Sequence, residues 1–135
     1  ADTATTADDA GNLGGVPASD YQQEGLTEFT PITAFNNNWS PFAAGWSEPG
    51  SWVAQDGVVN LQGSLHNGTN PSAFNLPEGI RPATYRSYVI RCSGGSGSGI
   101  VEISPTTGSV SVFSQGGSNC ATYAFIDGIT FRPDI

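Results

Sequence analysis

From about Phe29 onward, apolar and polar residues alternate in short runs of the kind that form half-buried strands. Ser51–Gln55 and Val58–Leu65 flank Asp56-Gly57, a dipeptide whose glycine accepts the left-handed conformation a tight hairpin needs. Along the second run Val59, Leu61 and Leu65 share a face, and Gly63 stands where another apolar side chain would fit. Ala73–Leu76 is a short strand stopped by Pro77. Tyr85–Cys92 sets Arg86, Tyr88, Ile90 and Cys92 on one face against Tyr85, Ser87, Val89 and Arg91 on the other. Ile100–Ser104 and Ser109–Phe113 flank Pro105-Thr-Thr-Gly108, a type I turn signature with Ser104 leading it. Ala121–Ile126 and Ile129–Arg132 flank Asp127-Gly128, which predicts a second hairpin. No window holds helical periodicity for long. About eight short strands at regular spacing predict an all-β fold, an antiparallel β-sandwich of jelly-roll type.

The first residues follow another rule. Ala1, Ala4, Ala7, Ala10, Leu13 and Val16 recur at every third position. That period does not match the 3.6 of an α-helix, and Gly11, Gly14, Gly15 and Pro17 would break one early. Three residues per turn is the repeat of an extended, polyproline-like chain, which three copies around one axis could bury together. A flexible Ala/Asp/Thr linker fits the same residues. The expected division is a stalk and connector over 1–28 and a head over 29–135.

Composition narrows the class. There are 18 Gly and 9 Pro, with no Lys and no Met, and charged residues make up 12 % of the chain. A helical bundle wants the opposite mixture. No apolar run is long enough to cross a bilayer, so membrane insertion is not expected. A charged n-region followed by an apolar stretch is missing too, so a signal peptide is not expected, and a start at Ala1 reads as a fragment or processed product. Net charge is −8, unevenly spread. Residues 1–28 hold six acids and no base, whereas residues 29–135 hold six acids against Arg81, Arg86, Arg91 and Arg132. Four scattered arginines build no phosphate-binding patch, so nucleic acid is not an expected partner.

Two cysteines, Cys92 and Cys120, lie too far apart for a CxxC redox or zinc motif. Each borders a Gly/Ser-rich turn, which suits a disulfide between strand ends in an oxidising setting; a pair of buried thiols is the competing reading.

Catalytic chemistry has few carriers. His66 is the single histidine and precedes the turn signal Asn67-Gly68, so it reads as a solvated turn residue. Without lysine there is no Ser-Lys set, and no Ser-His-Asp set is visible. Asp56 and Asp127 belong to turns, leaving Glu48, Glu78 and Glu102 as the free acids of the head ahead of the C-terminal Asp134. Glu102, between Val101 and Ile103, points to the face opposite theirs, toward solvent or a subunit interface. No enzyme activity, no metal and no cofactor are expected. Recognition is the stronger theme. Phe35, Trp39, Phe42, Trp46 and Trp52 are interleaved with Asn36, Asn37, Asn38, Ser40, Ser47 and Glu48. Flat rings stack on sugar C–H faces while amides bond hydroxyls. The same rings could equally be core. Trp46, between Gly45 and Ser-Glu-Pro-Gly50, is the first candidate ligand contact, followed by Trp39, Asn37 and Asn38; Trp52, within a strand pattern, is the expected core residue.

The segment Asn12-Leu-Gly-Gly-Val-Pro-Ala-Ser-Asp-Tyr21, preceded by the Ala-Asp-Thr-Ala repeats, resembles the stalk-to-head connector of tailed-bacteriophage tail fibres. The runs Phe29-Thr-Pro-Ile-Thr, Asn38-Trp39, Asp56-Gly-Val-Val-Asn-Leu-Gln-Gly63, Phe74-Asn-Leu-Pro-Glu-Gly-Ile-Arg-Pro82 and Ile126-Asp-Gly-Ile-Thr-Phe131 are similar to their C-terminal head domains. This resemblance implies a homotrimeric β-sandwich on a thin fibre, external on the virion, adhering to a host cell-surface glycan or protein receptor. It supplies no ligand residues, and the two cysteines stand outside its pattern. A purely structural trimerisation or capsid-decoration domain is the alternative, as is a secreted bacterial carbohydrate-binding module.

Overall fold

A computed structural model describes residues 28–135 and, ahead of them, two short strands, β1 (Asn12–Leu13) and β2 (Val16–Pro17). These two pair antiparallel, with Leu13 opposite Val16. The stalk and connector expected over residues 1–28 otherwise lie outside the described residues.

The remaining strands are β3 (Thr30–Pro31), β4 (Ser40–Pro41), β5 (Gly50–Val53), β6 (Val59–Gln62), β7 (Ser64–His66) and β8 (Ser72–Asn75), then β9 (Arg86–Ser93), β10 (Ser98–Ile103), β11 (Ser109–Ser114), β12 (Asn119–Phe125) and β13 (Ile129–Phe131). They form two antiparallel sheets: a seven-stranded one in the order β4-β7-β12-β9-β10-β11-β8, and a four-stranded one in the order β13-β6-β5-β3. The described residues contain no helix, and the two sheets make the expected β-sandwich.

Alternation decides which residues enter the core. Leu65, Ile90, Val101, Ile103, Val110 and Val112 come from the larger sheet and Val59, Leu61, Ile129 and Phe131 from the smaller, all buried. Residues between them, such as Arg91, Glu102 and Thr130, face outward and are exposed. Tyr88 ties the layers together. Its ring packs against the core and its hydroxyl donates to the Thr130 carbonyl at 2.9 Å, so burial raises the phenol's pKa while nearby Arg86 pulls the other way.

Two of the predicted turns form as expected. Asp56-Gly57 joins β5 to β6, with Gly57 at φ 86° and the Val58 N–H bonded to Asp56 Oδ1. Ser104 Oγ accepts the Thr106 and Thr107 N–H groups in the loop joining β10 to β11.

The second predicted hairpin is corrected. Asp127-Gly128 does make a tight turn, with the Ile129 N–H reaching the Ile126 carbonyl. Yet β12 before it lies in the seven-stranded sheet and β13 after it in the four-stranded one. The run 58–65 is divided in the same way, since β6 and β7 lie in different sheets on either side of Gly63. At φ 142°, and with the Pro49 Cα only 2.5 Å from where a Cβ would stand, this position accepts only glycine. The two crossings are adjacent: the Ile126 N–H donates to the Gly63 carbonyl at 2.9 Å.

Cys92 on β9 and Cys120 on β12 are joined in a disulfide with their Cα atoms 4.7 Å apart, and both are buried. Beside them on β10, Gly99 leaves room for the bridge, because a Cβ there would stand 2.4 Å from Cys120 Sγ and 2.7 Å from Cys92 Sγ.

A candidate aromatic recognition face

The outer face of the larger sheet gathers aromatic rings from β12, β7 and the segment after β4, beside a cation from β9. Tyr123 and Phe125 alternate with buried Ala124 on β12, so their rings stand outside the sandwich. Arg91, paired with Phe125 across β9, places its guanidinium 5.6 Å from the Phe125 ring centre and 5.9 Å from that of Tyr123. His66 follows buried Leu65 on β7 and therefore shares this outer face. Phe42, directly after β4, meets His66 edge-on at 5.5 Å, Tyr123 at 5.7 Å and Phe125 at 6.2 Å.

Trp46 completes the cluster from a loop fixed at both ends to one residue. Phe42 N–H donates to the Ser64 carbonyl at 2.8 Å, while Ser64 returns its own N–H and its hydroxyl to the Ser47 carbonyl. Ser47 Oγ in turn donates to Asp127 Oδ2 at 3.0 Å. Within this clasp Gly45 takes φ 89°, and the chain turns back so that the Trp46 N–H reaches Ala43 O. The indole stacks on Phe125 at 5.0 Å with an interplanar angle of 28°, yet Trp46 remains 54 % exposed. A large ring held on one side by another ring and open on the other is a preorganised stacking platform. The cation of Arg91 and the His66 ring beside it supply polar groups for hydroxyls or anions.

The other candidate residues lie elsewhere. Trp39 is in the core, 5 % exposed, with its indole N–H bonded to the Asn70 carbonyl at 2.7 Å. Gly68 packs so closely that an added Cβ would enter the Trp39 ring. Asn37 donates its amide to Ser72 O at 2.9 Å, and Asn37 and Asn38 both adopt positive φ, the backbone bend Asn tolerates best among non-glycine residues. Asn36 is likewise occupied, bonding Asn75 Oδ1 at 2.7 Å. Trp52 is half-buried, so the strand pattern placed it correctly in β5 but assigned its ring to the wrong layer. His66 belongs to the aromatic face instead of a free turn. Sequence reasoning missed Tyr123, Phe125 and Arg91. Their signal is an aromatic pair two residues apart in a strand, half-buried on the face opposite the buried Ala124.

Among the described residues no three metal-ligating side chains converge, and no helix is long and apolar enough to cross a membrane. No known family model matches the chain, and no curated protein matches it. Among solved structures it is similar to the receptor binding protein (gp15) of Listeria phage PSA, with a TM-score of 0.66 at 15 % identity. The match covers 96 % of this chain and 76 % of that one. At that identity, the similarity establishes a shared fold.

Proposed function

We propose that this chain is the head of an external phage appendage, tail fibre or similar, which adheres to a host cell surface through the aromatic face centred on Trp46. The observation that carries the reading is the exposed Trp46 ring, stacked on Phe125 and carried by a loop whose two ends are held by Ser64. A core has no use for an anchored but open indole, whereas a binding surface does. The fold shared with a protein described as a phage receptor binding protein supports the same role. The ligand is a cell-surface glycan, for which the platform offers a stacking ring beside Arg91 and His66. Adhesion is non-enzymatic, with His66 serving as part of the aromatic face.

The working form is a homotrimer, with residues 1–28 as its stalk. Val89, Ile100 and Phe113 lie side by side across β9, β10 and β11, and Val89 is 75 % exposed. That apolar row on the outer face is the natural contact for two further copies.

Binding of the purified, labelled chain to host cells tests the reading. Trp46→Ala is expected to reduce adhesion at least tenfold with the oligomer unchanged by light scattering. Undiminished adhesion would place the receptor contact elsewhere, and a stable 14.0 kDa monomer at micromolar concentration would remove the trimer.

A further inference from the structure

A second site lies at the open edge of the sandwich, between β3, β5 and the segment that follows β8. There a cavity of about 360 Å³ opens among Ile32, Val53, Leu76 and Ile80, with Thr33 and Asn75 also on its lining. Ser51 is the unusual residue in its wall. Register places Ser51 opposite Thr30 on one side and Leu61 on the other, and Leu61 is fully buried, so the serine side chain points between the sheets. Ser51 is 7 % exposed, yet its hydroxyl has no hydrogen-bond partner among the described residues. It is also not sealed off: Arg86 Nε is the only fully occluded side-chain polar atom left without a partner there. The hydroxyl therefore still reaches the cavity, where it is open to bond whatever enters.

We infer that this cavity is a subsite for the acetamido group of an N-acetylated sugar. The walls are apolar and accommodate a methyl group, while the one inner hydroxyl can donate to the acetamido carbonyl. Thr30 and Thr33 at the exposed margin suit the polyhydroxylated ring outside, whereas the Asn75 amide is already held by Asn36 and the Thr107 carbonyl. A plain hexose has no methyl group for the apolar walls, and a hydroxyl pushed to their depth would meet Ser51 as its one buried partner. The choice of a sugar rests on the adhesion reading; the cavity chemistry itself does not. The site shares no residue with the face around Trp46.

Titration of the full chain with N,N′-diacetylchitobiose, and with cellobiose as the control, followed by calorimetry or NMR, tests the inference. The acetylated disaccharide should bind and cellobiose should not. Ser51→Ala should weaken binding on the order of tenfold, the equivalent of one hydrogen bond. Ile80→Phe, which narrows the cavity without touching the hydroxyl, should also abolish it if Ser51→Ala folds poorly. Trp46→Ala should leave disaccharide affinity unchanged while cell adhesion falls, so the two sites fail separately. Equal binding of both disaccharides, no binding of either, or indifference to both cavity variants would overturn the assignment. Binding of a short fatty alcohol alone would show an apolar cavity without sugar selectivity and overturn it equally.

Discussion

Gly63 donates its backbone N–H to Asp127 Oδ1 across 2.9 Å, joining the two points where the chain leaves one sheet for the other. The second oxygen of the same carboxylate holds Ser47, at the end of the loop that carries Trp46. One side chain thus connects the fold's corner to the aromatic face around Trp46.

Asp127→Ala removes both acceptors. The expected loss is about 1–3 kcal/mol, reduced toward the lower value by the side chain's exposure. It should appear as a lower urea midpoint at unchanged slope. Adhesion should fall more than stability predicts, because the Trp46 loop loses an anchor; equal effects would mean that Ser64 alone positions the loop.

The corner also shows where sequence pattern stops being informative. Strand runs, the Asp56-Gly57 hairpin and the outward Glu102 follow from local alternation and turn chemistry, which act over a few residues. Whether a strand keeps its sheet across Asp127-Gly128 depends on Gly63, and on the bond between positions far apart in the chain. The same limit hid half of the aromatic face. Trp46 was legible from the turn formers around it, while Phe125 and Arg91 join it only through the order of β7, β12 and β9. Trp39 and Trp52 look alike as aromatic residues in a polar stretch. What separates them is the Asn70 carbonyl and Gly68, which close over Trp39 alone.

Loss of the disulfide should be costly. Cys92 and Cys120 are separated by 28 positions, and closing such a loop stabilises by about 3–4 kcal/mol in the chain-entropy model. Cys92→Ser/Cys120→Ser should lower the melting temperature substantially, and non-reducing mass spectrometry of the native chain should find no alkylatable thiol. Gly99→Ala should destabilise the oxidised protein more than the double serine variant, since the added methyl meets the two sulfurs.

Trp39→Ala should destabilise by about 3–5 kcal/mol, the usual result of deleting a large buried ring. Gly68→Ala should be damaging by itself, because the new methyl would enter the space of the indole. Trp46→Ala, by contrast, should move the melting temperature by only a few degrees. Comparable losses for the two tryptophans would show that the Trp46 ring is structural.

Tyr88 gives the fold an alkaline limit. Its phenol has a raised pKa, chiefly through burial, with Arg86 as the opposing influence. The folded state therefore holds the proton more tightly than the unfolded chain, whose phenol titrates near 10.0. The resulting stability is complete below that value and is lost as pH rises through the folded pKa. Ionisation would also remove the donor from the Tyr88–Thr130 bond, leaving a phenolate facing a carbonyl. Urea midpoints measured from pH 8 to 11 should therefore decline at the upper end. Tyr88→Phe should begin less stable by about 1 kcal/mol, the net worth of a hydrogen bond, and decline less over the same range. A parallel decline in both proteins would assign the alkaline sensitivity to other groups.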